Sequence, residues 1–270
     1  MQDVDMVFIK LGGSLITDKD QDSVARADII ANLASDLAKA ISLNPNLQII
    51  VGHGSGSFGH MSAKKYGTRD GIASPNLARE YWQGFHAVYK KAHQLHRIVI
   101  DALCVAGVKA VSFPPDQSVI TQQKHLITWP LETIRAAVKA SLVPVIFGDV
   151  IFDTELGGTI LSTEELFAYL APQLHPQRIL IAGIEKGVWL DHPNNQHLAT
   201  EINDINLQSV LRSLSGSSSV DVTGGMLAKV TEMAQLTQSM TGLQINIFDG
   251  TKPGNLLGAI QGTFSGTIIR

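Results

Sequence analysis

Lysine and histidine set beside glycine-rich turns are the residues of this chain best suited to chemistry, and the chemistry they suit is the handling of phosphate. An apolar run at 47–51 closes with Val51-Gly-His-Gly-Ser-Gly-Ser-Phe-Gly-His60, where glycines at 52, 54, 56 and 59 separate two histidines. Glycine permits φ > 0 and lets backbone N–H groups approach a ligand closely, and such a loop before a helix suits an anion. The first apolar run repeats the theme, since Val7-Phe-Ile-Lys10 enters Leu11-Gly-Gly-Ser14 and sets a lysine beside a second glycine turn. Two phosphate cradles in one chain point to a donor and an acceptor.

A third segment reads Asp221-Val-Thr-Gly-Gly-Met-Leu-Ala-Lys229. Asp221 or Thr223 can cap a helix, Gly224 and Gly225 open its first turn, and Lys229 lies one turn inside, toward any anion the free amides hold. Lys10, Lys19 and Lys229 are thus available as positive charges. Phosphoryl transfer mainly needs such charge, N–H donors around the moving group and in-line alignment. The G-x-x-x-x-G-K-[ST] loop of P-loop kinases is absent.

Two other chemistries are weaker. Gly54-Ser-Gly-Ser-Phe-Gly59 matches the dinucleotide pattern, with Glu80 roughly where a ribose-binding acid would stand. That pattern belongs on a first strand, however, and here an earlier strand precedes it. His53 and His60 lack the i, i+4 spacing of a helical metal pair and no cysteine or carboxylate cluster accompanies them, so no protein metal site is expected. His60 suits a hydrogen bond to an acceptor phosphate, whereas His53 reads equally as structural or functional.

The elements that must position these residues follow from periodicity. Strand-like runs at 7–11, 48–51, 109–112, 143–147, 178–182 and 244–248 alternate with helical patterns at 28–42, 78–106, 131–140, 163–170 and 225–241. Such alternation predicts an α/β fold with a mainly parallel sheet covered on both faces. The long pattern at 78–106 can be two helices with Gly84 as the weak point. Gly157-Gly158-Thr159 is expected to separate a short strand at 150–153 from the next ordered stretch, 192–197 to form the polar turn of a hairpin, and 213–219 to be a surface loop.

The 270 residues can bury a substantial core as one α/β domain or as two lobes sharing a sheet. A net charge of −3 argues against a nucleic-acid partner, and no window approaches an unbroken membrane span. The chain opens MQDVDM without a signal-like segment, and a cytoplasmic location is expected. Its one cysteine, Cys104, excludes an internal disulfide and is expected as a buried small hydrophobe in the helix at 98–106.

Taken together, Lys10-Leu-Gly-Gly-Ser14, the 52–60 segment, Gly148-Asp149-Val150, Asp221-Val-Thr-Gly-Gly-Met226 with Lys229, Pro253-Gly-Asn255 and Gly266-Thr267 resemble the amino acid kinase superfamily from residue 6 to 269. Within it, His60 is the most specific element. Relatives acting on amino-acid carboxylates generally lack it, while those that phosphorylate isopentenyl phosphate, and the related fosfomycin kinase, carry it. The resemblance implies an open αβα sandwich of one continuous domain, with an acceptor-binding lobe at 1–171 and a lobe for ATP and Mg²⁺ at 172–270.

It further implies that Lys10 and Lys229 contact the ATP phosphates, that Lys19 stabilises the transferring group, and that Asp149 orients the lysines. Gly12, Gly13, Ser14 and Gly56 would serve the nucleotide phosphates together with Asp221, Thr223, Gly224 and Gly225. Gly54, Ser55, Gly59, His60 and Gly158 would surround the acceptor phosphate, and Phe85 and Val88 would line its hydrocarbon tail. The implied activity is ATP-dependent phosphorylation of isopentenyl phosphate by a homodimer. A phosphonate such as fosfomycin or another small phosphomonoester is the alternative acceptor, and a non-catalytic phosphate sensor the alternative class. Two departures stand out: Ser162-Thr-Glu164 replaces a common Ser-Gly-Asp, and Gly183-Ile-Glu-Lys-Gly-Val188 replaces Thr-Asp-Val-Asp-Gly-Val. Lys186 there either pairs near Glu185 or meets a phosphate.

Overall fold

The protein is described from a computed structural model that covers residues 5–215, 225–263 and 265–270. Its strands in chain order are β1 (Met6–Leu11), β2 (Gln48–His53), β3 (Ala110–Ser112), β4 (Ile120–Gln122), β5 (His125–Thr128), β6 (Val143–Phe147), β7 (Asp149–Asp153), β8 (Gly157–Leu161) and β9 (Arg178–Gly183). The short pairs β10 (Val188–Trp189), β11 (Leu198–Ala199) and β12 (Glu201–Ile202) precede β13 (Gln244–Asp249) and β14 (Gly266–Ile269). Helices are α1 (Gly13–Ile16), α2 (Ala27–Leu43), α3 (Gly56–Tyr66), α4 (Ala78–Val105), α5 (Glu132–Lys139), α6 (Thr163–Leu174), α7 (Leu207–Ser215), α8 (Gly225–Ser239) and α9 (Asn255–Ile260).

Among the described residues, one eight-stranded sheet, ordered β12-β14-β13-β9-β1-β2-β6-β3, runs through the molecule, and within it only the β13–β14 pair is antiparallel. Its strands are continuous apolar runs because both faces are covered. Along β1, Phe8 joins one core with Leu166, Leu170 and Val230 of α6 and α8, whereas Val7, Ile9 and Leu11 join the other with Leu33, Leu37, Leu95 and Leu256 of α2, α4 and α9. The result is the expected αβα sandwich. A second sheet, β5-β4-β7-β8, stands beside it at the end of β6.

Several expectations need correction. The 78–106 pattern is one 28-residue helix, and Gly84 is no break: a Cβ there would lie 2.2 Å from the Cβ of Tyr66, so the glycine permits close packing of α3 on α4. Cys104 is exposed, because the buried stripe of α4 runs through Leu95, Val99 and Leu103 and leaves the next position on the outer face. Gly157 and Gly158 lie within β8, paired with β7, instead of separating elements. Helix α6 extends past its predicted end to Leu174 with Pro172 inside it. Of the loop expected at 213–219, residues 213–215 belong to α7 instead, and the rest lies outside the described residues.

Candidate active site

The carboxyl ends of the parallel strands β1, β2, β6 and β9 finish level with one another, Leu11 pairing with His53 and Ala182, and His53 with Phe147. Ligands of open α/β sheets bind at such an edge. The two glycine turns leave it side by side. A Cβ on Gly13 would fall 2.5 Å from the amide nitrogen of Gly56, and one on Gly54 would fall 2.9 Å from that of Gly13. Gly56 has φ +48°, a left-handed conformation that favours glycine. Thr17 ties the turns together, donating from Oγ1 to the Gly13 carbonyl at 2.7 Å and accepting from the Ser57 N–H at 3.0 Å.

The amides of Gly12, an expected donor to the nucleotide phosphates, and of Gly54, expected beside the acceptor phosphate, are engaged within the protein. The Gly12 N–H donates to the Ala182 carbonyl at 2.8 Å, and the Gly54 N–H to that of Leu11 at 3.1 Å. Gly12 and Gly54 therefore shape the edge, and the assignment of the Gly12 amide to a phosphate is corrected. Ser14 lies half-buried in α1.

Lys10, buried at the end of β1, forms an ion pair with Glu164 in the first turn of α6, and the two side chains are 10% and 8% exposed. Burial alone would raise the Glu164 carboxyl pKa, yet Lys10 and then Lys229 outweigh it and hold it below the usual range. The carboxylate facing the lysines is thus Glu164. Asp149, to which that task was assigned from the sequence, points instead to His93, 2.9 Å away, and accepts the Val150 N–H at 2.8 Å.

Local structure explains why Glu164 is well placed. Ser162 and Glu165 form a capping box at the start of α6, with contacts of 3.1 and 2.6 Å. Thr163 donates to the His53 carbonyl at 2.7 Å, and Gly52 leaves room for it, since a Cβ there would meet the Thr163 methyl at 2.4 Å. The helix start is thereby docked on the end of β2. Glu232, on α8 one turn beyond Lys229, has its pKa pushed up to about 8 by burial and then by Glu165 and Glu164. Asp221, Thr223 and Gly224 lie outside the described residues, and Gly225 begins α8. Lys19 is exposed on the turn after α1, a turn held to α4 by Lys91 and Asp22 at 2.7 Å.

On the opposite side of the glycine edge, α3 carries Gly59 and half-buried His60, with Ser55 at its start. Gly59 admits the Ser55 side chain, whose Oγ would be 2.4 Å from a Cβ there. Beyond it lies an apolar wall of Tyr81, Phe85 and Val88 from α4 with Val150 from β7. Gly158 belongs to this wall: a Cβ on it would approach the Tyr81 hydroxyl at 2.8 Å and the Phe85 ring at 2.9 Å. The fold therefore brings the residues expected around a phosphate head and those expected around a hydrocarbon tail to adjoining faces of α3 and α4.

Further polar groups lie near the edge, and of these the sequence reading had singled out only His53 and Asp149 and the altered 183–188 segment. His53 and His96 are buried beneath the edge, Nε2 to Nδ1 at 3.0 Å, and burial depresses their pKa values to about 4 and about 2. His53 is structural here. His93, Asp116 and Asp149 converge from three distant segments with ligating atoms within 4.8 Å of one another. Burial works against charge on His93, but Asp116 and Asp149 push its pKa up to about 9. In the altered 183–188 segment, Glu185 accepts the Trp189 indole N–H at 3.0 Å and Lys186 is exposed.

A family model described as the amino acid kinase family matches residues 5–249. The isopentenyl phosphate kinase of Methanothermobacter thermautotrophicus is 31% identical over 95% of this chain and 96% of its own length. That of Methanocaldococcus jannaschii is also 31% identical, over 98% of each chain. A crystal structure of an isopentenyl phosphate kinase superposes with a TM-score of 0.84 at 28% identity, covering 98% of this chain and all of the other. The family model spans most of the chain and the solved fold superposes over nearly all of it, so the chain belongs to the amino acid kinase family.

Proposed function

We propose that this chain transfers the γ-phosphoryl group of ATP to isopentenyl phosphate, giving isopentenyl diphosphate and ADP. The observation that carries this reading is the adjacency of a glycine edge with buried Lys10 to an apolar wall built on Phe85, Val88 and Gly158. An acceptor with an anionic head and a short hydrocarbon tail matches both. The full-length relatives named above act, by their names, on that compound.

No general base is needed. A phosphate monoester has a second pKa near 6, so the acceptor is largely a dianion at neutral pH and already nucleophilic. Its difficulty is repulsion from the ATP phosphates, which oriented cations and donors must offset. In this proposal Lys10 and Lys229 hold the ATP phosphates, Glu164 fixes both lysines, and Lys19 reaches the transferring group. Gly13, Ser14 and Gly56 border the nucleotide phosphates, while Ser55 and His60 donate to the acceptor. Gly225, which opens α8, borders the nucleotide side, and the same role is proposed from the family resemblance for Asp221, Thr223 and Gly224, which lie outside the described residues.

Magnesium fits as an ion delivered on ATP. The buried carboxylate nearest the lysines, Glu164, is taken up by Lys10, and Mg²⁺ commonly keeps its waters and substrate phosphates without an all-protein cage. Carried in on ATP, it would supply charge neutralisation for the phosphates. The lobes at 1–171 and 172–270 would hold acceptor and nucleotide; β1 joins them, pairing with β2 on one side and β9 on the other. A homodimer is proposed from the family resemblance and a cytoplasmic location from the segment patterns of the sequence; no described helix is long and apolar enough to cross a membrane.

The test is coupled ADP release with isopentenyl phosphate, dimethylallyl phosphate and fosfomycin as parallel acceptors. Turnover favouring the prenyl phosphates is expected. Preference for fosfomycin would move the acceptor, and ATP binding without ADP release on any acceptor would support a sensor.

A further inference from the structure

The cluster of His93, Asp116 and Asp149 has no task in phosphoryl transfer as described above. His93 lies on α4 one turn beyond Tyr89, Asp116 on the single 3₁₀ turn Pro115–Gln117, and Asp149 at the first position of β7. Nothing local requires these three segments to place polar groups together. The His93 ring is held from two sides, edge-on to Phe147 with centroids 5.0 Å apart and against Tyr89 at 4.1 Å. The position of its Nε2 is therefore fixed by packing.

The contacts around Nε2 have an unusual geometry. It lies 2.9 Å from Asp149 Oδ2 and 3.2 Å from Asp116 Oδ1. Yet neither oxygen is aligned with a ring N–H, and all three atoms are buried without a hydrogen-bond partner. The Asp149 side chain is completely buried. Charge on His93 offsets the two carboxylates in the absence of an ion, but a fully enclosed carboxylate oxygen without an aligned donor remains costly, and a metal ion taking the place of the His93 proton would satisfy it.

Separations of this size are the edges of a coordination polyhedron. With metal–ligand bonds of roughly 2.0–2.2 Å, neighbouring ligand atoms stand about 3.0–3.5 Å apart. An ion in contact with Nε2 would lie on the ring lone-pair axis, within reach of both carboxylates, whose ligating oxygens stand within 4.8 Å of Nε2 and of each other. One imidazole with two carboxylates is a donor set for a borderline divalent ion. His93 is 23% and Asp116 11% exposed, which leaves an outer side for water ligands.

We propose that His93, Asp116 and Asp149 bind one divalent transition ion, zinc or manganese, separate from the magnesium that accompanies ATP. Such an ion pins α4 to the start of β7. These are the elements that carry Phe85, Val88 and Val150, so the ion braces the wall facing the acceptor tail.

The experiment uses full-length protein stripped with a chelator and then equilibrated with Zn²⁺ or Mn²⁺ alone, in excess Mg²⁺ and without nucleotide. Bound metal is counted by mass spectrometry, and thermal unfolding is recorded in parallel. One ion per chain and a metal-dependent rise in Tm are expected. His93→Gln and Asp116→Asn, each checked for folding by circular dichroism, should weaken binding by about tenfold or more and abolish the rise. With Co²⁺ as probe, visible d–d absorption should appear in the parent protein and be lost in both variants. Absence of saturable binding to the parent protein, or stoichiometric binding that survives both substitutions, would overturn the assignment.

Discussion

Lys10, at the end of the first strand, and Glu164, in the first turn of the helix after β8, face each other as a buried ion pair at the edge where the glycine turns meet. Each is the other's main compensation, and Lys229 adds to the field on the carboxylate. Removing one member strands a buried charge, which typically costs about 3–5 kcal/mol, whereas replacing both by neutral groups of similar size costs much less. Glu164→Gln should therefore lose both stability and activity. Adding Lys10→Met to it should recover stability but not turnover. Thermal melts and kcat of the three proteins, side by side, separate the structural from the catalytic share; recovery of turnover in the double variant would contradict the role given to Lys10.

Gly13 and Gly56 touch backbone to backbone, and a methyl at position 13 would lie 2.5 Å from the Gly56 nitrogen. Gly13→Ala must push the two turns apart. Loss of about 10²-fold or more in kcat/KM is expected, since small misplacements of reacting groups cost on that scale. Near-normal kinetics in a folded variant would show that the turns do not need this contact.

The apolar wall makes a prediction about specificity. Truncating Phe85 to Ala removes buried ring surface facing Gly158 and should cost the prenyl acceptor about 1–3 kcal/mol in kcat/KM. A small phosphonate, which lacks the tail, should lose far less. Equal losses for both would place the tail elsewhere.

Glu232 gives the site a pH signature. Its pKa rises from 4.5 in an unfolded chain to about 8, mainly by burial and then through Glu165 and Glu164. Between these values the folded protein binds more protons than the unfolded one, so its stability falls as pH rises through that window. Glu232→Gln should flatten this part of the stability profile. Denaturant midpoints measured from pH 5 to about 8.5 would reveal it, and an unchanged slope would show that Glu232 is not the titrating group.

Much of this architecture was legible because the long strands are continuous apolar runs and the helices carry one apolar stripe each. β4 and β5 were missed, since their three and four residues mix polar with apolar side chains and leave no period to detect. The glycine turns were legible as turns that follow strands, although the Gly12 amide was not readable as engaged, because its acceptor, Ala182, comes from a strand far along the chain. The same distance hid the true partner of Lys10. Gly148-Asp149 looked like the orienting acid, while Glu164 was visible only as a departure from a motif. The convergence of His93 and Asp116 on Asp149 had no local signal at all, for it depends on α4 crossing the start of β7.

The bond that forms joins the γ-phosphorus of ATP to an acceptor phosphate oxygen, and ³¹P NMR reads it directly. With ATP, Mg²⁺ and isopentenyl phosphate, the monoester resonance should give way to a pair of coupled diphosphate resonances, with one ADP produced for each isopentenyl diphosphate. ADP without a new diphosphate, or an unchanged monoester at enzyme concentrations that bind ATP, would contradict the account.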